Sequence, residues 1–142
     1  MRDPSAAERW VFDVDGCLID SLTGTSLRPG ARELLTHLNA VSASVVWWSA
    51  GGEDYARRRA EQFGLNHLVH AFRAKDGRDV DGKYTTCDVN EAGVAVVFVD
   101  DRPEDLPSGA TVVTVSPYLI HNPHDRGLSD AARLAGVSPS AG

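Results

Sequence analysis

The sequence predicts an α/β protein built on a doubly wound parallel sheet. Three observations carry this. The runs Ser44–Trp48 and Val94–Val99 are nearly continuous Val, Trp and Phe, the pattern of strands buried on both faces. Helical periodicities alternate with such runs, as strand–helix–strand units require. Three strong apolar runs end directly on acids or a serine, and open α/β sheets bind ligands beyond the carboxyl ends of their strands.

In chain order, Trp10–Val14 reads as the first strand. Ala31, Leu34, Leu35 and Leu38 recur at helical spacing, with Pro29 suited to a first turn. Ser44–Trp48 follows as a strand. Ala56, Ala60 and Phe63 mark a second helix, with Glu53 and Asp54 at its start, Arg57, Arg58 and Arg59 later, and Gly64 to stop it. Leu68–Phe72 is a weaker strand candidate, and a short helix is expected after Lys83. Val94–Val99 and Thr111–Val115 complete the strands, and Ser129–Ala135 reads as a last helix.

The 142 residues are expected to form a single domain, 1–142, with fraying ends at about 1–8 and 137–142. That length buries a core without disulfides or a structural metal. Cys17 and Cys87 form no CxxC pair, so free thiols in a reducing cytosol are expected. The start MRDPSAAERW lacks an apolar signal-peptide core, and no apolar run approaches the ~20 residues of a membrane span. A cytoplasmic location and no membrane partner are therefore expected. The net charge of −6 argues against a broad nucleic-acid footprint.

The first strand exits into Asp13-Val14-Asp15-Gly16. Residues i and i+2 of a strand point the same way, so both carboxylates face one crevice. Gly16 permits a sharp turn and close approach to a ligand. The run VAVVFV delivers a second set, Asp100 and Asp101, followed by Glu104 and Asp105. Either motif alone is compatible with a solvated turn. Acids on two strand ends repel each other and call for a shared hard cation, such as Mg²⁺. Ser49, Ala50 and Gly51 offer a hydroxyl and backbone N–H groups before a helix, an anion site. Lys75 and Lys83 are the only lysines available to offset phosphate charge. Lys83 is preferred, because it precedes the segment leading into the acidic strand.

These motifs, VFDVDGCLID, the strand ending at Ser49, a lysine, and VFVDDRPEDL, resemble in order the four motifs of the haloacid dehalogenase-like superfamily. The resemblance spans about residues 10–115 and implies a Rossmann-like core. It makes Asp13 the nucleophile, Asp15 the acid/base and Ser49 the second-motif phosphate ligand. Ala50 lies beside Ser49, and Lys83 stands for the third-motif lysine. Metal binding falls to Asp13, Asp101 and the Asp15 carbonyl, with Gly16, Asp100 and Asp105 in support. Cys17 stands where Thr or Val is commoner, and Lys83-Tyr84 where Lys-Pro is frequent. The gaps Ile19–Arg28 and Asn66–Lys83 are too short for a cap domain. Capless relatives act on large substrates or cover the site with a neighbouring subunit. The expected activity is Mg²⁺-dependent phosphomonoester hydrolysis through an aspartyl-phosphate. The alternatives are a non-catalytic binding module and a phosphatase for phosphoproteins or nucleic-acid ends. Trp47 and Trp48 are expected in the core. The segment Ser116–Gly127, with Tyr118, His121, His124 and Arg126, is a candidate specificity loop, weighed against an ordinary surface connection.

Overall fold

The computed structural model describes residues 7–75, 77–85, 89–90, 93–107 and 109–134. The elements are β1 (Ala7–Asp13), α1 (Ala31–Ala40), β2 (Ser44–Ser49), α2 (Glu53–Gln62), β3 (Ala71–Ala74), β4 (Val94–Asp100), β5 (Thr111–Thr114) and α3 (Gly127–Leu134). All strand pairs are parallel, in the order β3-β2-β1-β4-β5. The sheet thus grows outward from β1 in both directions. The carboxyl ends of β1 and β4 meet at the topological switch point, where such sheets open a crevice.

Alternation along β1 sends Trp10 and Phe12 to one core and Val11 to another. The first core joins Trp10, Phe12, Val45 and Trp47 to Leu34, Leu35 and Leu38 of α1, Ala56 and Ala60 of α2, and Leu128 of α3. On the opposite face Val11, Val46, Trp48 and Phe98 are covered by Tyr84, Val89 and Leu106. Both faces of the central strands are therefore dry, which is why their sequences lack polar alternation. Trp47 and Trp48 are both buried, as expected.

Some boundaries differ from the sequence expectation. The weak strand at 68–72 forms instead at Ala71–Ala74. A 3-10 turn at Asn66–Leu68, closed by the Leu68 N–H donating to the Leu65 carbonyl at 2.8 Å, uses up the start of the apolar run. This shift leaves Lys75 as the first residue beyond the strand. α1 starts at Ala31, so Pro29 precedes the helix, and Gly30 turns the chain at φ 90°. α3 begins at Gly127, ahead of the expected Ser129. Tyr84 bridges to Arg78 rather than opening a helix, and residues 86–88, with Cys87, lie outside the described residues.

Candidate active site

A cleft of about 620 Å³ opens at the carboxyl ends of β1, β2 and β4. Its lining includes Asp13, Asp15, Gly16, Ser49, Ala50 and Lys75, with Asp100 and Asp101 at the end of β4 and Asp105 in the 3-10 turn after it. Asp13 is the last residue of β1 and Asp100 the last of β4. The Lys75 Nζ donates to Asp13 Oδ1 at 3.0 Å and to Asp100 Oδ2 at 3.2 Å. Its ammonium also lies 4.9 Å from the Trp48 ring centroid and 5.2 Å from that of Tyr84. Two aromatic faces and two carboxylates thus hold a cation that is almost removed from water.

Asp13, Asp100 and Asp101 each bring a carboxylate oxygen within 4.8 Å of the others. Burial pushes the Asp13 carboxyl up to about 8; Lys75 pulls against that shift, while the Asp100 charge and the Asp101 contact add to it. Burial also raises Asp100, against Lys75 and the Arg102 N–H that donates to Asp100 Oδ1 at 2.8 Å. Burial disfavours the Lys75 charge, but Asp13 and Asp100 outweigh it and hold the ammonium above its ordinary value. One lysine faces three acids, so full ionisation asks for more positive charge. The donors are all oxygens, which fits a hard cation such as Mg²⁺.

Gly16 turns the chain at φ 80°, and a Cβ there would stand 3.1 Å from Asp101 Oδ2. Glycine therefore lets the first acidic loop close onto the β4 acids. Ser49 is buried, and its Oγ accepts the Gly51 N–H at 3.0 Å. The Ser49 carbonyl accepts the Lys75 N–H at 2.9 Å, tying the serine loop to the lysine. Asp15 is exposed at the cleft, and its Oδ1 accepts the Tyr55 hydroxyl at 2.7 Å. The Tyr55 phenol is shifted upward by burial and by Asp15, so it keeps its proton.

The expected site residues come together with one exception. Lys83 is not among the cleft-lining residues; its Nζ donates to the Glu104 carbonyl at 2.8 Å in an exposed bond. Lys75 takes the place between the carboxylates instead. The cause is local: the two-residue shift of β3 carries Lys75 to the strand end, while Lys83 follows a turn closed by Asp79. Asp100 joins the carboxylate cluster directly, beyond the supporting place expected for it. Asp105 lines the cleft, and its carbonyl accepts the Tyr84 N–H at 2.7 Å.

The 116–127 segment divides. Pro117 and Leu119 line the cleft, while His121, His124 and Arg126 do not. The Tyr118 N–H donates to the Gly16 carbonyl at 2.7 Å, docking the segment on the first acidic loop. Arg28 anchors it from below: the fully buried guanidinium pairs with Asp125 at 2.7 Å and donates to the Cys17 carbonyl and Ser116 Oγ. Nothing in the sequence singles out Arg28 or Tyr55 for these contacts.

An all-parallel sheet of this order, with acids from β1 and β4 around a lysine and no cap among the described residues, defines a haloacid dehalogenase-like hydrolase core. The profile of the NLI interacting factor-like phosphatase family matches residues 9–137. The chain belongs to that family and is a phosphatase acting on phosphoric monoesters. No curated protein matches it significantly in sequence. Among solved structures it is similar to the core domain of a protein assigned as a phosphoglycolate phosphatase from Streptococcus pneumoniae TIGR4. That match has a TM-score of 0.60 and 15% identity over 96% of this chain and 100% of the other. A chain of the Pnkp1/Rnl/Hen1 complex is similar at a TM-score of 0.53 and 16% identity, over 84% of this chain and 49% of the other. At these identities the likeness is one of fold. Among the described residues no helix is long and apolar enough to cross a membrane.

Proposed function

We propose that the protein is a Mg²⁺-dependent phosphomonoesterase that works through an aspartyl-phosphate on Asp13. One observation carries this reading. A strand-end carboxylate lies 3.0 Å from a buried ammonium and inside a group of three carboxylates, at the edge of an open cleft. Asp13 attacks phosphorus and the bond to the leaving oxygen breaks. Asp15 gives that oxygen its proton, then takes one from the water that releases phosphate. Lys75 and the Ser49–Ala50 loop steady the phosphoryl oxygens. Asp13, Asp101 and the Asp15 carbonyl would hold the metal, with Asp100 beside them, and a bound Mg²⁺ neutralises phosphate charge.

The exposed position of Asp15 supports a large or openly presented substrate. Arg78, Arg102, Pro117 and Leu119 also line the cleft. Hydrolysis of p-nitrophenyl phosphate with Mg²⁺, followed by a panel of sugar phosphates, nucleotides, phosphopeptides and phosphorylated oligonucleotides, tests the reading. Metal-dependent turnover of at least one ester is expected. Binding of phosphorylated ligands without release of phosphate would favour a non-catalytic module.

A further inference from the structure

We infer that Tyr55 is a positioning residue that fixes Asp15 for proton transfer, an inference that rests on the proposed phosphatase reading. Asp15 sits two residues beyond the nucleophile and is exposed, while the loop residues on either side of it are buried. Among the described residues, its one side-chain hydrogen-bond partner is the Tyr55 hydroxyl, 2.7 Å from Oδ1. That bond crosses from α2 to the loop after β1, so the helix that begins behind the serine loop also holds the acid.

The placement of Tyr55 is built. Its ring lies so close to Gly51 that a Cβ there would come within 2.8 Å of Tyr55 Cδ1. The Arg59 guanidinium, one helical turn on, stands 5.0 Å from the ring centroid. Arg59 is fixed in turn by donating to the Gly24 carbonyl at 3.0 Å and to Gln62 Oε1 at 2.8 Å. Gln62 Nε2 donates to the same Gly24 carbonyl at 2.9 Å. A tyrosine needed only for packing would not be required to place its hydroxyl on an exposed acid. Tyr55 is not among the cleft-lining residues, so it acts through Asp15 rather than on the substrate.

The chemistry follows from which oxygen is engaged. With Oδ1 held by the Tyr55 O–H, Oδ2 is the oxygen left to carry the transferable proton. In the first step the Asp13–phosphorus bond forms, the bond to the leaving oxygen breaks, and the Oδ2 proton moves to that oxygen. Asp15 becomes a carboxylate, and the Tyr55 bond becomes charge-assisted and stronger. In the second step water attacks phosphorus and its proton returns to Oδ2. Asp13 is released, and the sum is ester plus water to alcohol plus phosphate. Tyr55 therefore helps most where the leaving group needs its proton.

The test compares kcat/KM of wild type and Tyr55→Phe across phosphate esters whose leaving groups run from p-nitrophenol to simple alcohols. kcat/KM covers only the steps through loss of the leaving group. Phenylalanine keeps the ring against Gly51 and Arg59, and a thermal melt checks that the fold is kept. The expected result is a loss of roughly tenfold or more on alkyl phosphates and little change on p-nitrophenyl phosphate. In an Asp15→Asn background Tyr55→Phe should then add nothing. An active wild type with the same leaving-group dependence in both proteins, or losses that add in the double variant, would overturn the inference alone. A wild type inert on every ester would remove the phosphatase reading and this inference with it.

Discussion

The Lys75 ammonium bridges Asp13 and Asp100, 3.0 Å from one carboxylate and 3.2 Å from the other. It therefore links the ends of the two strands that carry the acids. The strand it follows, β3, lies two places from β1 in the sheet. A single charge thus organises the site from outside the acidic motifs.

Lys75→Met should reduce kcat/KM by roughly a hundredfold or more, because it removes a charge-assisted contact to the phosphoryl group. Lys83→Ala should change it by no more than about twofold, because Lys83 does not line the cleft. Steady-state kinetics on one generic ester checks both. The reverse order would return the lysine role to Lys83.

The choice between these lysines shows what the sequence made legible. The acids declared themselves, because Asp13 and Asp100 follow uninterrupted apolar runs whose ends fix where the side chains go. Ser49 was placed by the same logic at the end of β2. β3 is short and half covered, so its apolar residues did not separate strand from the preceding 3-10 turn. The strand ends at Ala74 rather than Phe72, and that difference decides which lysine stands at its end. Arg28 and Tyr55 act through contacts far along the chain, to Asp125 and Asp15, and no local pattern encodes such pairing.

Asp13 makes the metal-free protein sensitive to pH. Its carboxyl goes from an ordinary 3.8 to about 8 on folding. A raised folded value contributes stability that is fully present below 3.8 and lost as pH rises through about 8. Asp13→Asn does not titrate, so in EDTA its melting temperature should gain on that of wild type between about pH 5 and about pH 9. Mg²⁺ should shrink the difference by stabilising the ionised wild type. Parallel melting curves across this range would show that Asp13 ionises without strain.

Metal removal should stop turnover, and Mg²⁺ should restore it. Ca²⁺ should restore less, because its looser coordination tolerates geometries unsuited to attack. Full activity in chelated protein, with metal content checked by elemental analysis, would contradict the role given to the carboxylate cluster.

The 116–127 segment should matter for stability before specificity. Asp125→Ala leaves the buried Arg28 guanidinium without its ion-pair partner, at a cost of about 3 kcal/mol in denaturant unfolding. Among the described residues Arg126 pairs with Asp130 at the surface, 3.6 Å away. Arg126→Ala should therefore leave KM unchanged on every substrate that the enzyme accepts. A selective rise in KM for one substrate would place Arg126 at that substrate's binding surface.

The most direct test of the account is to trap the phosphoryl group. The enzyme is mixed with a labelled phosphate ester and Mg²⁺, quenched in acid during turnover, and mapped by peptide mass spectrometry. The label should sit on Asp13 and be absent from Asp13→Asn. Turnover that never labels Asp13, or a label on another side chain, would contradict the covalent mechanism.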